Sequence, residues 1–174
     1  LGMVVWAEIP FISRFINTKE AKEDTVRQMR ELIMQNYNHP SICFWGISNE
    51  ITMGEESDEL VENQRILQKL CHKLDPSRKT VLANLTTVES QSEQNKITDL
   101  SAYNVYMGWY AGKVEDCGAW MDSLHKENSD MCMGISEYGA DTNVQYHSDA
   151  PKRQDYTEEY QSYYHEKMLQ AIQE

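Results

Sequence analysis

Apolar positions along the chain follow two alternating periods. Short continuous runs occur at 3–9 ("MVVWAEI"), 41–48 ("SICFWGIS"), 80–84 ("TVLAN"), 100–106 ("LSAYNVY") and 131–136 ("MCMGIS"). Runs of this length and composition, bounded by Pro, Gly or polar clusters, read as buried strands. Between them apolar residues recur every three or four positions. Val26, Met29, Ile33 and Tyr37 follow Thr18, and Leu60, Ile66, Leu67, Leu70 and Leu74 follow a cap at Ser57 or Asp58. Trp120 and Leu124 share a face within 114–128, and a last such stretch runs from Asp155 to Ile172. That spacing predicts helices, the second ended by Pro76. The polar stretch 86–96 is expected to hold a brief helix. Strands alternating with helices, with no linker and no low-complexity segment, predict one α/β domain over 1–174. Its strands should be parallel and joined by crossover helices.

Two architectures satisfy this pattern, a doubly wound open sheet and part of a (β/α)8 barrel. No GxGxxG or GxxxxGK[ST] motif opens the chain, which speaks against a nucleotide-binding open sheet. Polar residues instead gather where strands end: Glu8, Asn49-Glu50, Asn84, Asn104 with Tyr106, and Glu137-Tyr138. Chemistry collected from several strand ends is the habit of the barrel, which needs about 200 residues or more when complete. Five strands are three short of eight, so the expectation is an incomplete TIM (β/α)8 barrel. The chain opens inside an apolar run without Met, and so reads as a segment of a larger protein. A leader would lie outside it, which leaves the compartment open.

Composition narrows the partners. The 174 residues carry a net charge of −12 with no basic stripe, which argues against a nucleic acid partner. No apolar run is long enough to span a bilayer, and no membrane partner is expected. Cys43, Cys71, Cys117 and Cys132 show neither a CxxC pair nor zinc spacing. Cys43 and Cys132 fall in predicted strands and read as buried free thiols. No metal and no cofactor is called for.

The candidate chemistry rests on two glutamates, Glu50 ending the second strand and Glu137 the fifth. Two carboxyl groups flanking one bond are what glycoside hydrolysis requires, about 5–5.5 Å apart when the configuration is retained. Asn49 offers an amide beside Glu50, and Tyr106 ends the strand before that of Glu137. Trp45, Trp109 and Tyr110 offer flat faces on which a sugar stacks, although Trp45 equally suits the core.

"NHPSICFWGISNE" (38–50) resembles the acid/base signature of glycoside hydrolase family 2, and "GISEYGAD" (134–141) resembles its nucleophile strand. "LGMVVWAEIP" and "YNVYMGWY" are similar to its third and sixth barrel strands. The resemblance implies barrel strands three to seven, with the remaining strands and the flanking β-sandwich domains outside the segment. It further implies Glu50 as acid/base, Glu137 as nucleophile, Asn49 on the sugar 2-hydroxyl and Tyr106 hydrogen-bonded to Glu137. Asn104, Trp109, Tyr110 and Glu8 are sugar contacts or structural supports. The Glu-x-His pair of the metal-dependent members is replaced by Pro10-Phe11-Ile12-Ser13-Arg14, so no magnesium site is carried over. The substrate implied is a terminal β-galactoside, with a β-glucuronide as the alternative. The Asn-x-Lys element that recognises a glucuronide carboxylate would lie beyond the missing eighth strand. A non-catalytic carbohydrate-binding segment and an endo-acting glycanase stay open as further readings. The uncovered sheet edges lead us to expect that the isolated segment is marginally stable, or dimerises so that its edges are covered.

Overall fold

The computed structural model describes residues 2–53 and 56–173. Among them are five strands: β1 (Val5–Glu8), β2 (Ile42–Asn49), β3 (Lys79–Leu85), β4 (Leu100–Val105) and β5 (Met133–Tyr138). Four α-helices accompany them: α1 (Lys19–Asn36), α2 (Asp58–Leu74), α3 (Cys117–Glu127) and α4 (Glu158–Gln173). The strands form one parallel sheet in the order β1-β2-β3-β4-β5, each beside the next in the chain. A doubly wound sheet would reverse this order at a switch point; a barrel wall does not. The connection from β3 to β4 holds the brief helix expected within 86–96, a 3-10 turn at Glu93–Lys96, where the other connections between strands carry an α-helix. The chain divides into two compact units, Leu1–Tyr103 with Asp130–Gly134, and Asn104–Ser129 with Ile135–Glu174.

In the first unit both helices start on side-chain caps. Thr18 Oγ1 accepts from Ala21 N, and Ser57 Oγ accepts from Leu60 N, each at 3.2 Å. Met29 and Ile33 of α1, Leu60, Leu67 and Cys71 of α2, and Trp45 and Ile47 of β2 are fully buried together. Each large side chain removed from water contributes about 1.5–3 kcal/mol. Two inward expectations fail. Ile66 is 41% exposed and Tyr37 43%, while Asn63 and Gln64 are buried in place of an apolar pair. Polar interior positions on α2 have a purpose: Gln64 Nε2 donates to Ser48 Oγ at 3.0 Å and to Gln94 Oε1 at 2.9 Å. The cysteine expectation also changes. Strand β5 begins at Met133, two residues late, which leaves Cys132 exposed at its entrance, and Cys43 is half-buried. The buried thiols are Cys71 and Cys117 on helices, where burial pushes them up to about 12 and about 11.

Two carboxylates fasten the N-terminal ends of the strands in this unit. Asp75 has a fully buried side chain and accepts from Trp45 Nε1 (3.0 Å), Arg78 Nη1 (2.6 Å) and Ser77 Oγ (2.5 Å). The Arg78 guanidinium also donates to the carbonyls of Ile42, Tyr37 and His39 and lies over the rings of Trp45 and Tyr37. Asp99 accepts from Thr80 N (2.7 Å) and Thr80 Oγ1 (2.9 Å) and pairs with His72 Nε2 at 2.8 Å. Burial on its own would raise both acids. Ser77, Arg78 and Trp45 outweigh it at Asp75, and Thr80 and His72 outweigh it at Asp99, so both sit at about 2.

In the second unit, Tyr160, Tyr164 and Met168 line one buried face of α4. Tyr164 Oη donates to the carbonyl of Val105 at 3.1 Å, and Tyr160 Oη to that of Gly108. Gly108 has φ +86°, and a Cβ there would lie 2.6 Å from Val114 N, so glycine is required.

Arg78→Ala leaves the buried Asp75 charge uncompensated and is expected to cost about 3–5 kcal/mol in urea denaturation. Both acids are depressed in the folded state. Their contribution, about 2 kcal/mol each, is complete above pH about 4 and is lost as pH falls toward 2. Unfolding free energies measured from pH 6 down to pH 2 check this, and a flat profile would contradict it.

Candidate active site

Glu50 follows the last residue of β2 and takes a left-handed backbone conformation, φ 46°. A non-glycine residue there costs on the order of 1–3 kcal/mol and persists only where its surroundings hold it. Glu50 N donates to the carbonyl of Ala83 on β3 at 2.9 Å, and its own carbonyl accepts from Met53 N at 3.1 Å. The strand therefore turns sharply, and the carboxyl-bearing residue is half-buried at its rim. Asn49 is held by the segment after β1: its N donates to Phe11 O at 3.0 Å, and its carbonyl accepts from Ser13 N at 3.2 Å. Glu8 is exposed at the end of β1, opposite Gly46 in the register, and Trp6 Nε1 donates to its Oε2 at 2.9 Å. A Cβ on Gly46 would fall 2.3 Å from the Trp6 indole nitrogen and 2.4 Å from Glu8 Cβ. Glycine on β2 thus makes room for the Trp6–Glu8 pair.

The second unit holds the other candidates. Glu137, on β5, is exposed, and Tyr106 Oη donates to its Oε2 at 2.8 Å. Tyr106 lies against Tyr110, with ring centroids 5.0 Å apart. Asn104 is buried, and Ser136 Oγ, beside Glu137, donates to its Oδ1 at 2.6 Å. A cavity of about 270 Å³ opens next to the Tyr106 phenol. Its walls are Tyr106, Trp109, Tyr110 and Tyr138, with Gly139, Ala140, Asp141, Gln161 and His165 completing the lining. Aromatic planes beside a few polar groups suit a sugar ring, whose faces are apolar and whose rim is hydroxylated.

Trp109 is only 2% exposed and packs edge-on against Tyr156 at 5.2 Å and near Tyr160 at 6.1 Å. Tyr156 stands at φ 60°, next to Asp155. Asp155 accepts from Lys152 N (2.6 Å), Thr157 N (3.0 Å) and Thr157 Oγ1 (2.8 Å). Trp109 is therefore a wall held from behind, and Tyr110, 65% exposed, is the freer ring. Trp45 belongs to the core.

Asn84 leaves the candidate set. It is buried, and its Nδ2 donates to Asn95 Oδ1 (2.8 Å) and Ser101 Oγ (3.1 Å), which anchors the β3–β4 connection. Sequence reading missed Asp141, Gln161 and His165. The first stands four residues past Glu137 in the quoted motif; the other two are spaced i, i+4 on α4, which puts them on one helix face. Among the described residues no group of three or more His, Cys, Asp or Glu is arranged to hold a metal ion.

A family model described as "Glycosyl hydrolases family 2, TIM barrel domain" matches residues 3–174. A β-glucuronidase of Bacteroides fragilis is 36% identical over 185 residues, covering 99% of this chain and 26% of that protein. A β-galactosidase of Thermoanaerobacterium thermosulfurigenes is 35% identical over 80 residues, covering 46% of this chain and 10% of its own. Among solved structures, the "FMN-binding beta-glucuronidase from Facaelibacterium prausnitzii L2-6" superposes with a TM-score of 0.94 at 52% identity. That match covers 98% of this chain and 26% of the other. The chain thus spans about a quarter of the length of the β-glucuronidases it matches.

Trp109→Ala removes a fully packed indole and is expected to destabilise the second unit by about 3–5 kcal/mol, while Tyr110→Ala costs under about 1 kcal/mol. Thermal unfolding of the two variants separates them, and equal losses would contradict the wall assignment.

Proposed function

The chain belongs to glycoside hydrolase family 2, and on that footing we propose that the protein carrying it hydrolyses terminal β-glycosidic bonds with retention of configuration. Glu137 attacks the anomeric carbon while the Glu50 carboxyl group gives its proton to the departing oxygen. Glu50 then takes a proton from water, which attacks the same carbon and releases Glu137. The observation that carries this reading is the hydrogen bond from Tyr106 Oη to Glu137 Oε2 at 2.8 Å. It aims one carboxylate oxygen and leaves the other for the sugar. The strained backbone at Glu50 supports the acid/base role, since such strain persists where a side chain must be aimed.

The remaining residues take supporting roles. Asn49 meets the sugar 2-hydroxyl from its place beside Glu50. Asn104 braces β5 through Ser136. Tyr110, with Trp109 behind it, offers an apolar face to the ring, and Glu8 closes the end of β1 with Trp6.

On the sugar itself, the sequence motifs favour a β-galactoside, and the relatives favour the alternative. The relative matched over 99% of the chain is named a β-glucuronidase, whereas the β-galactosidase match spans 46%. We therefore take a β-glucuronide as the substrate. Among the described residues, no lysine or arginine lines the 270 Å³ cavity. The uronate carboxylate is met instead by the Asn-x-Lys element that the family resemblance puts outside this segment.

In the full-length protein, Glu50→Ala and Glu137→Ala are each expected to cut kcat for 4-nitrophenyl β-glucuronide by at least about a thousandfold with folding retained. Tyr106→Phe, which removes one bond to a charged group, is expected to cost about 10–100-fold. Proton NMR should detect the β-anomer of the released sugar first, and the glucuronide should exceed the galactoside in kcat/KM. Near-normal turnover in either glutamate variant would overturn the mechanism, and a galactoside preference would restore the motif-based assignment.

A further inference from the structure

Within the first unit a second cavity, of about 600 Å³, begins two residues beyond Glu50. That volume is within the ~300–1,000 Å³ range of ligand sites. The connections after β2 and β3 form it, both at the strand ends where Glu50 stands. Met53 N bonds back to the Glu50 carbonyl, so Thr52, the first lining residue, is fixed relative to the acid.

The lining is chemically uniform. Thr52, Thr87, Gln91 and Ser92 bring hydroxyl and amide groups, and Glu56, Asp58, Glu89 and Glu93 bring carboxylates. Among the described residues Val88 is its one aliphatic member, and none of those lining it is aromatic or cationic. Its walls are held from behind by buried groups. Gln94, fully buried, donates through Nε2 to Glu56 Oε2 at 3.1 Å, and Ser92 Oγ donates to the same oxygen at 2.5 Å. Gln94 Oε1 in turn accepts from the buried Gln64. Asn95, buried behind the β3–β4 connection, donates to the carbonyls of Glu89 and Ser90 at 3.1 and 3.0 Å. The connection is thereby fixed although it contains no α-helix.

Resting on the acid/base role proposed for Glu50, we propose that this cavity seats the leaving group, and that it selects neutral, hydroxyl-rich leaving groups: a saccharide or a polyol. The acid must touch the departing oxygen, so what departs lies beside it. Carboxylates, amides and hydroxyls bind sugar hydroxyls well. Four carboxylates repel an anionic leaving group, and the absence of a ring leaves a flat aromatic one nothing to stack on.

The test uses the full-length enzyme and three glucuronides, one of a neutral disaccharide, one of 4-nitrophenol and one of an anionic uronic acid disaccharide. The readout is the ratio of kcat/KM for the neutral disaccharide conjugate to that for each of the others. In Glu89→Ala and Gln91→Ala, both exposed positions, the ratio to the nitrophenyl conjugate is expected to fall about tenfold, the equivalent of one hydrogen bond to a hydroxyl. In Glu89→Gln the ratio to the anionic conjugate is expected to fall as repulsion weakens. Ratios unmoved in all three variants would overturn the leaving-group seat while leaving the hydrolytic reading standing. Failure of the wild type to hydrolyse any of the three would overturn both. Transfer of glucuronate from the nitrophenyl conjugate to the free neutral disaccharide, suppressed in Gln91→Ala, would support the seat independently of KM.

Discussion

The first unit depends on one buried ion pair. Asp75 and Arg78 stand three residues apart in the turn between α2 and β3, yet Arg78 reaches the backbone before and at the start of β2. One guanidinium therefore ties the end of α1, the entry to β2 and the entry to β3 into a single joint. Trp45 closes it from the core side with its indole nitrogen on Asp75. Parallel strands have no tight hairpin to set their register, and each pair needs some other device to align it. Here the device is electrostatic and sits at the N-terminal ends. Asp99 repeats it one strand further on, through Thr80 and His72.

This division of labour leaves the C-terminal ends free for chemistry. Residues at the N-terminal ends are locked by charge, and the middle of the sheet is filled by Trp45, Ile47 and Leu82. The opposite rim can then carry strained and solvent-facing groups without threatening the fold. In the first unit Glu50 at positive φ and the Trp6–Glu8 pair over Gly46 occur there, and in the second unit the Tyr106–Glu137 bond joins the ends of its own two strands. Each would be a liability in the core. At the rim each fixes the direction of one polar group.

Much of this was legible in the sequence because strand ends and helix faces leave strong local signals. The helix start after Thr18, the cap at Ser57 and the five strands follow from short-range pattern, and the Tyr106–Glu137 contact from the family resemblance of the motifs that carry it. Tertiary choices were harder. Ile66 looks like a core residue by spacing, but Asn63 and Gln64 take the inward positions because Ser48 and Gln94 wait there as partners. A buried amide is invisible to hydrophobic periodicity, and its partner is 30 residues away. Asn84 was misread for the same reason. It resembles a site residue at a strand end, and only its neighbours Asn95 and Ser101 reveal an anchor. The lateness of β5 escaped because Met131-Cys132-Met133 contains no turn residue to mark where the strand starts.

The strand order carries a consequence for how the chain is made. Because each strand pairs with the one that follows it, spatial order and order of synthesis coincide. A strand leaving the ribosome meets a neighbour already emerged, with no wait for a distant segment and no wrong edge to fill first. At roughly 5–20 residues per second, the ~40 residues from β1 to β2 take a few seconds, long compared with helix formation. Each helix is thus ready when its next strand arrives, and these strands can be added one after another as translation proceeds.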